Sequence, residues 1–136
     1  MAVALFVFFH DRTNPAGRVA PVDLETFTRV AARTPGLTEA HIFTPGAAHD
    51  PFLKDPPPPQ LSAQLYFDDL PPLEEALAPN GHLHQLAAPD ALPSLAGATV
   101  THQAMLVRRF PVPDATFHTA PGKLAATYLV EYPGSA

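Results

Sequence analysis

The sequence predicts an α+β fold, with one four-stranded antiparallel sheet and two helices on one of its faces. Four segments are rich in β-branched and aromatic residues, or alternate between apolar and polar residues, which is typical of strands. Two others place apolar residues at helical spacing behind a capping residue. Proline and glycine separate these segments, giving the order β-α-β-β-α-β. The 136 residues predict one domain, with its core in residues 1–110 and an extension in residues 111–136.

The first half of the chain is predicted to form a strand, a helix and a second strand. Residues 3–9, VALFVFF, are apolar throughout and indicate a central strand. Residues 23–34 place apolar side chains along one helical stripe, and Asp23 caps this helix. Residues 38–44 form the second strand, whose side chains alternate between the two faces of the sheet.

A long proline-rich loop is predicted between the second and third strands, at residues 47–60. Residues 56–59 are consecutive prolines, which adopt the polyproline II conformation and cannot join a sheet ladder. The loop is either a stiff linker or a lid over a pocket, because long loops often carry function.

The second half of the chain is predicted to contain a strand, a helix and a further strand. Residues 61–67, LSAQLYF, alternate strictly between apolar and polar side chains. The pair Asp68-Asp69 offers an N-cap for the helix that follows. The residues of this helix that point inward are Leu70, Leu73 and Leu77. Residues 98–110 form the fourth strand, and residues 123–132 form a fifth strand that is added to the sheet or swapped between subunits.

Composition and charge exclude several classes of function. The net charge is −5 with only 8 Lys and Arg residues, which argues against nucleic acid and anionic membranes as partners. The chain has no cysteine, so disulfides and thiolate chemistry are excluded. The apolar N-terminal run lacks the basic region of a signal peptide and is too short to span a bilayer. We therefore expect a cytoplasmic protein.

The order of the elements is the split βαβ arrangement of ferredoxin-like folds. Both helices pack on one face of the sheet, so the other face is left bare. Soluble monomers seldom expose a large apolar or mixed surface of this kind. We therefore expect a second copy of the chain to cover it by two-fold symmetry, forming a homodimer with a shared interior.

The third strand and the helix after it carry a resemblance to a known family. The run LSAQLYFDDLPPLEEAL, at residues 61–77, joins an alternating strand to an aromatic-Asp pair and a helix with Leu-Glu-Glu-Ala. Together with the order of elements over residues 3–110, it resembles the dimeric α+β barrel superfamily, most closely the EthD-like branch. The C-terminal sequence ATYLVEYPGSA resembles the first strand of another such module.

The resemblance implies a range of activities, because one fold supports many functions. The superfamily includes cofactor-independent monooxygenases, lactone isomerases, polyketide cyclases, haem-degrading enzymes and proteins without known activity. The first hypothesis is an enzyme or binding protein for an aromatic or polyketide-like compound, without a tightly bound cofactor. The alternatives are a non-catalytic dimerisation or ligand-binding module, and a haem-binding member with one histidine as axial ligand.

The bare face of the sheet is predicted to line the cavity. It receives Glu39, His41 and Phe43 from the second strand, Ser62, Gln64 and Tyr66 from the third, and His10 at the rim. The fourth strand contributes one of two sets, because a shift of one residue exchanges the two faces. These sets are Val100, His102, Ala104 and Leu106, or Thr101, Gln103 and Met105.

The predicted cavity combines a few polar groups with aromatic walls, as small-molecule sites commonly do. His41 or His102 acts as general base, and Tyr66 donates a hydrogen bond to a developing oxyanion. The predicted substrate-binding residues are Gln64, Phe43, Ser62, His10, Gln103 and Met105. These groups suit proton abstraction from an activated carbon. The alternative is that the histidines and Tyr66 only satisfy contacts at a dimer interface or pocket edge.

No metal site is predicted. His82 and His84 lie two residues apart, and on a helix such residues point in different directions. The other histidines show no ligand spacing.

Overall fold

The computed structural model describes residues 1–45, 58–88 and 90–108. Its elements in chain order are β1 (Val3–His10), α1 (Pro21–Ala32), β2 (Leu37–Phe43), β3 (Leu61–Phe67), α2 (Leu70–Leu77), the one-turn helix α3 (His82–Gln85), a short 3-10 helix (Pro93–Leu95) and β4 (Thr99–Leu106). This order confirms the predicted β-α-β-β-α-β arrangement. The predicted fifth strand at residues 123–132 and most of the proline-rich loop at residues 47–60 lie outside the described residues.

The four strands form one antiparallel sheet in the order β2-β3-β1-β4. β1 pairs with β3 on one side and with β4 on the other. β1 and β2 are therefore parallel with β3 between them, and α1 connects them. β3 and β4 are likewise parallel, with β1 between them, and the segment that connects them contains α2. The sheet therefore contains two split βαβ units.

The hydrophobic core lies on one face of the sheet, between the strands and the helices. Alternate residues of β1 and β3 are buried there, and for β3 the sequence alternation predicts which ones. Phe27 of α1 is 1% exposed, and its ring contacts that of Phe9 edge to face at 5.9 Å between centroids. The core residues contributed by the helices are Phe27, Ala31, Leu73, Ala76, Leu83, Leu86 and, beside the 3-10 helix, Leu92 and Leu95.

A β-bulge in β2 decides which of its residues face the helices. The register between β2 and β3 shifts after Leu37, which lies opposite Phe67, because Glu39 lies opposite Tyr66. Thr38 is the extra residue, and its hydroxyl donates a hydrogen bond to the carbonyl of Tyr66 at 3.1 Å. Glu39 therefore lies on the opposite face from Leu37, although the two are separated by one residue.

The start of α1 differs from the prediction. Asp23 was expected as the cap, but the helix begins at Pro21 with Ala20 as N-cap, because proline suits the first helical turn. Asp23 is instead buried and accepts hydrogen bonds from the backbone N–H of Ser94, at 2.8 Å, and from the Ser94 hydroxyl. The Ser94 hydroxyl oxygen also accepts from the N–H of Ala20 at 2.9 Å. The carboxylate thus ties α1 to the 3-10 helix.

α2 is capped as predicted but faces the core differently. The Asp69 carboxylate accepts a hydrogen bond from the N–H of Leu70 at 2.9 Å. Leu73 and Ala76 are buried, and Leu77 is partly buried. The prediction that Leu70 points inward is wrong: it is 45% exposed, because it lies in the first turn, ahead of the turns that contact the core.

β4 is shorter than the predicted strand at residues 98–110. Its pairing with β1 runs from Thr99, opposite His10, to Leu106, opposite Val3. β4 therefore ends opposite the first residue of β1. Within the three described ranges, no helix has both the length and the apolar character needed to cross a membrane.

Candidate functional site

The second face of the sheet carries no helix from the described part of the chain, and we call it the uncovered face. The register of the strands assigns three rows of side chains to it. From β2 to β4 these rows are Phe43, Ser62, Phe8 and Thr101; His41, Gln64, Phe6 and Gln103; and Glu39, Tyr66, Ala4 and Met105. Beyond the first row, His10 and Thr99 lie opposite each other. The face is thus a mixture of aromatic, aliphatic and polar groups.

His41 lies at the centre of a group of side chains on β2 and β3. Its Nε2 is 2.7 Å from Oε1 of Glu39, and both side chains are less than half exposed. The ring meets that of Tyr66 edge to face at 5.8 Å and stacks with Phe43 at 6.5 Å between centroids. The Tyr66 hydroxyl donates a hydrogen bond to Oε1 of Gln64 at 3.1 Å. We call Glu39, His41, Phe43, Gln64 and Tyr66 the His41 cluster.

The His41 cluster contains the groups that proton transfer requires. An imidazole held by a carboxylate is the arrangement of a general base. A phenol and an amide beside it can orient and stabilise an oxygen that gains negative charge. The sequence predicts Glu39 on this face but assigns it no role. Glu39 and His41 are two residues apart on one strand, which places both side chains on the same face of the sheet. This spacing is the sequence feature that indicates a role for Glu39.

The other predicted binding residues share the uncovered face but lie further away. Ser62 lies between Phe43 and Phe8, and His10 lies beside Phe8 at 6.3 Å between ring centroids. Gln103 and Met105 lie on β4, at the opposite edge of the sheet from β2. Three strand spacings separate these edges, about 14 Å. Within one chain, Gln103 and Met105 therefore do not meet His41.

His102 does not join the other predicted catalytic residues. It lies opposite Val7, whose side chain is in the core, and therefore faces the helices. The second alternative for the fourth strand is the correct one: Thr101, Gln103 and Met105 occupy the uncovered face. Adjacent strand residues point to opposite faces, so the register alone separates His102 from His41 and Tyr66.

His102 lies beside a very small apolar cavity between the sheet and the helices. The cavity volume is about 10 Å³, and its lining residues are Val7, Phe9, Phe27, Leu65, Leu83, Leu86, Ala87, Val100 and His102. This space holds at most about one water molecule. Partial burial in these surroundings lowers the pKa of His102 below its ordinary value, because the charged imidazolium loses hydration.

A larger open groove lies between α1 and the edge strand β2. Its volume is about 370 Å³, and it is lined by Leu24, Thr28, Ala32, Ala40, Ile42 and Thr44. Its described lining contains no charged or titratable side chain. The groove can accept an apolar group, but it offers no chemistry of its own.

Among the described residues, no group of three or more histidines, cysteines or carboxylates could hold a metal ion. His82 and His84 lie on the one-turn helix α3.

An antiparallel sheet in the order β2-β3-β1-β4, built from two split βαβ units with helices on one face, defines a ferredoxin-like α+β fold. Solved structures of this class are similar to the chain. A mutant of SnoaB, a cofactor-independent oxygenase from Streptomyces nogalater, is 22% identical, with 83% of this chain and 98% of that chain covered and a TM-score of 0.51. This similarity confirms the predicted fold.

Two further solved structures are similar at lower scores. A dimeric ferredoxin-like protein of unknown function from Jannaschia sp. CCS1 is 17% identical, with 79% of this chain and 100% of that chain covered and a TM-score of 0.48. An EthD family protein from Bacillus halodurans is 16% identical, with 76% and 97% covered and a TM-score of 0.41. No family model and no curated protein matches the chain.

Proposed function

We propose that the protein is a homodimer that binds a small aromatic or polyketide-like molecule on the uncovered face, beside the His41 cluster. The observation that carries the proposal is the contact of His41 with both Glu39 and Tyr66. A base, a phenol and aromatic walls are thereby brought together on a surface that no described helix covers. A few polar groups on an apolar surface are the usual composition of a small-molecule site.

The proposed dimer follows from the apolar side chains of the uncovered face. Phe6, Phe8, Phe43 and Met105 are only partly buried there. Full burial of one such side chain is worth about 1.5–3 kcal/mol, so covering the face with a second copy is favourable. A two-fold axis brings the same surface of both copies together. The ligand would then lie between the subunits, at the β2 edge of the face.

The proposed chemistry is the removal of a proton from an activated C–H or a phenolic O–H. The proton moves from the ligand to the free ring nitrogen of His41, and the electron pair it leaves behind delocalises onto a ligand oxygen. Tyr66 then donates its hydroxyl to that oxygen in place of Gln64, which lowers the cost of the negative charge. No cofactor takes part. The similarity to SnoaB, a cofactor-independent oxygenase, is compatible with such a route.

A titration with 1-naphthol, a fluorescent phenol, tests the proposal together with sedimentation at micromolar protein concentration. We expect a dimer that binds naphthol, with binding about tenfold weaker in His41→Ala. His84→Ala, which removes an exposed imidazole on α3, is the matched control and should bind as the wild type does. A monomer, or a His41→Ala variant with unchanged affinity, would overturn the proposal.

A second candidate site lies at the cavity beside His102, on the helix-covered side. The lowered pKa of His102 favours it, because a neutral imidazole in an apolar pocket can accept a proton. This site needs α3 to move, since the present cavity has room for about one water. The same titration distinguishes the two: loss of naphthol binding in His102→Ala, with binding retained in His41→Ala, assigns the ligand to this side.

A further inference from the structure

We infer that Glu39 is a positioning residue for His41, which holds the imidazole in the tautomer that leaves Nδ1 as the basic nitrogen. The inference rests on the proposed function, since the choice of nitrogen matters for chemistry only if His41 takes a proton. It assigns a role to the carboxylate of the His41 cluster, which the proposed proton transfer does not itself use.

The contact between Glu39 and His41 is specific to one ring nitrogen. Nε2 of His41 lies 2.7 Å from Oε1 of Glu39, a distance typical of a hydrogen bond to a charged acceptor. An ionised carboxylate can only accept, so Nε2 must carry the proton. In the neutral ring the other nitrogen, Nδ1, is then the site that accepts a proton.

The ring itself is held by its neighbours. Tyr66 meets it edge to face and Phe43 stacks against it. A half-turn of the imidazole about the Cβ–Cγ bond would restore both ring contacts but would lose the contact with Glu39. The two neighbouring rings therefore hold the plane of the imidazole, and Glu39 fixes which nitrogen is basic.

The bulge at Thr38 is what brings Glu39 to this face. If Thr38 were paired regularly opposite Tyr66, Glu39 would continue the alternation of Leu37 and lie opposite Leu65, in the core. The Thr38 hydroxyl fixes the bulge through its hydrogen bond to the carbonyl of Tyr66. Bulges commonly redirect side chains beside functional sites, and here the redirected residues are Glu39 and His41.

An exposed pair with only a structural role would behave differently from a positioning pair. Glu39→Ala removes the acceptor, whereas Glu39→Gln removes the charge but keeps an oxygen at the same reach. A positioning role depends on a group that can only accept, and the Gln amide can also donate to Nε2, so Gln should rescue only part of what Ala loses. Glu75→Ala is the matched control, because it removes an exposed carboxylate from α2 with the same change in net charge.

Ring ¹⁵N NMR of His41 in the full-length protein measures the two tautomers directly. At a pH of about 8.5, well above the ordinary histidine value, we expect the Nε2–H form to dominate. In Glu39→Ala the ratio of Nε2–H to Nδ1–H should fall about threefold, the worth of an exposed charged pair. In Glu39→Gln the ratio should lie between those of the wild type and Glu39→Ala, and in Glu75→Ala it should stay near the wild-type value.

The outcomes separate this inference from the proposed function. A ratio that is the same in the wild type and Glu39→Ala, or one that falls equally in Glu75→Ala, overturns the inference whatever naphthol does. A fall in Glu39→Ala that is smaller in Glu39→Gln and absent in Glu75→Ala supports it. If that fall occurs and naphthol does not bind the wild type, the proposed function fails while the link between Glu39 and His41 stands.

Discussion

The two faces of the sheet are built from the same strands but differ in almost every physical respect. On the helix-covered face, the side chains of β1 and β3 are aliphatic or aromatic and are at most 5% exposed. On the uncovered face, the residues between them are partly exposed, apart from the buried Ala4, and include Ser62, Gln64 and Tyr66. Because successive side chains of a strand point to opposite faces, one strand can stabilise the core with one set of residues and present polar groups with the other.

The contrast extends to the way polar groups are treated. The buried polar residues Asp23 and Gln60 each meet fixed partners in the protein, Ser94 for the first and the backbone around Asp11 for the second. On the uncovered face, the His41 cluster bonds side chain to side chain and stays partly exposed. The buried polar groups therefore join segments of the chain, whereas the polar groups of the His41 cluster remain accessible to a ligand.

The largest expected effect is on the core. Phe27→Ala should lower the free energy of unfolding by about 3–5 kcal/mol, because it leaves a cavity among close-packed side chains. Phe6→Ala on the uncovered face should cost the single chain much less and should mainly weaken association. Urea unfolding at two protein concentrations separates these effects. Equal losses for both variants at both concentrations would contradict the difference between the faces.

The contact between Asp23 and Ser94 should give the next largest effect. Asp23→Ala leaves the Ser94 N–H without its carboxylate partner, which should cost about 1–3 kcal/mol. A double-mutant cycle with Ser94→Ala measures the coupling, and Asp90→Ala, which removes an exposed carboxylate, is the control. Strict additivity of Asp23→Ala and Ser94→Ala would show that the contact does not join α1 to the 3-10 helix.

The bulge should respond more weakly. Thr38→Val keeps the shape of the side chain but removes the hydrogen bond to the Tyr66 carbonyl, which should cost about 1 kcal/mol. We also expect amide hydrogen exchange to increase around Glu39 and Tyr66 and to stay unchanged in β4. Unchanged protection at both residues would mean that the bulge does not depend on this hydroxyl.

The smallest expected effect is the pH dependence that His102 contributes. Its pKa is lowered in the folded protein, so the unfolded chain binds the proton more readily than the folded one. Stability should therefore fall as the pH drops below about 6.5, and the fall should level off below the folded pKa. His102→Gln should reduce this slope between pH 8 and 5, and His84→Gln should not. An identical slope in His102→Gln would show that His102 does not face the core.

The fold could be predicted because its decisive patterns are local. The alternation in residues 61–67 fixes both faces of β3, and the apolar run in residues 3–9 indicates a central strand. The cap at Asp69 is likewise a short-range signal. The role of Asp23 could not be predicted, since its partner Ser94 lies 71 residues away and no local pattern links them.

The candidate site could be predicted only where alternation is clear. His41, Gln64 and Tyr66 were placed on one face because β2 and β3 each have an unambiguous apolar side. β4 has no such side: the helix-covered positions include His102, and the other set includes Met105. Its register therefore depends on pairing with β1. The distance between His41 and Gln103 also depends on the order of the strands, which the local patterns do not contain.

The extra residue at Thr38 has a consequence for how this chain can change over generations. Thr38 is accommodated as a bulge, so the faces of Leu37, Glu39 and His41 are those of a regular ladder that lacks this residue. Point replacements in this stretch are expected to alter affinity or stability by degrees. Loss of the codon for Thr38 should likewise be tolerated, because Leu37 would stay opposite Phe67 and Glu39 opposite Tyr66 in a ladder that has become regular.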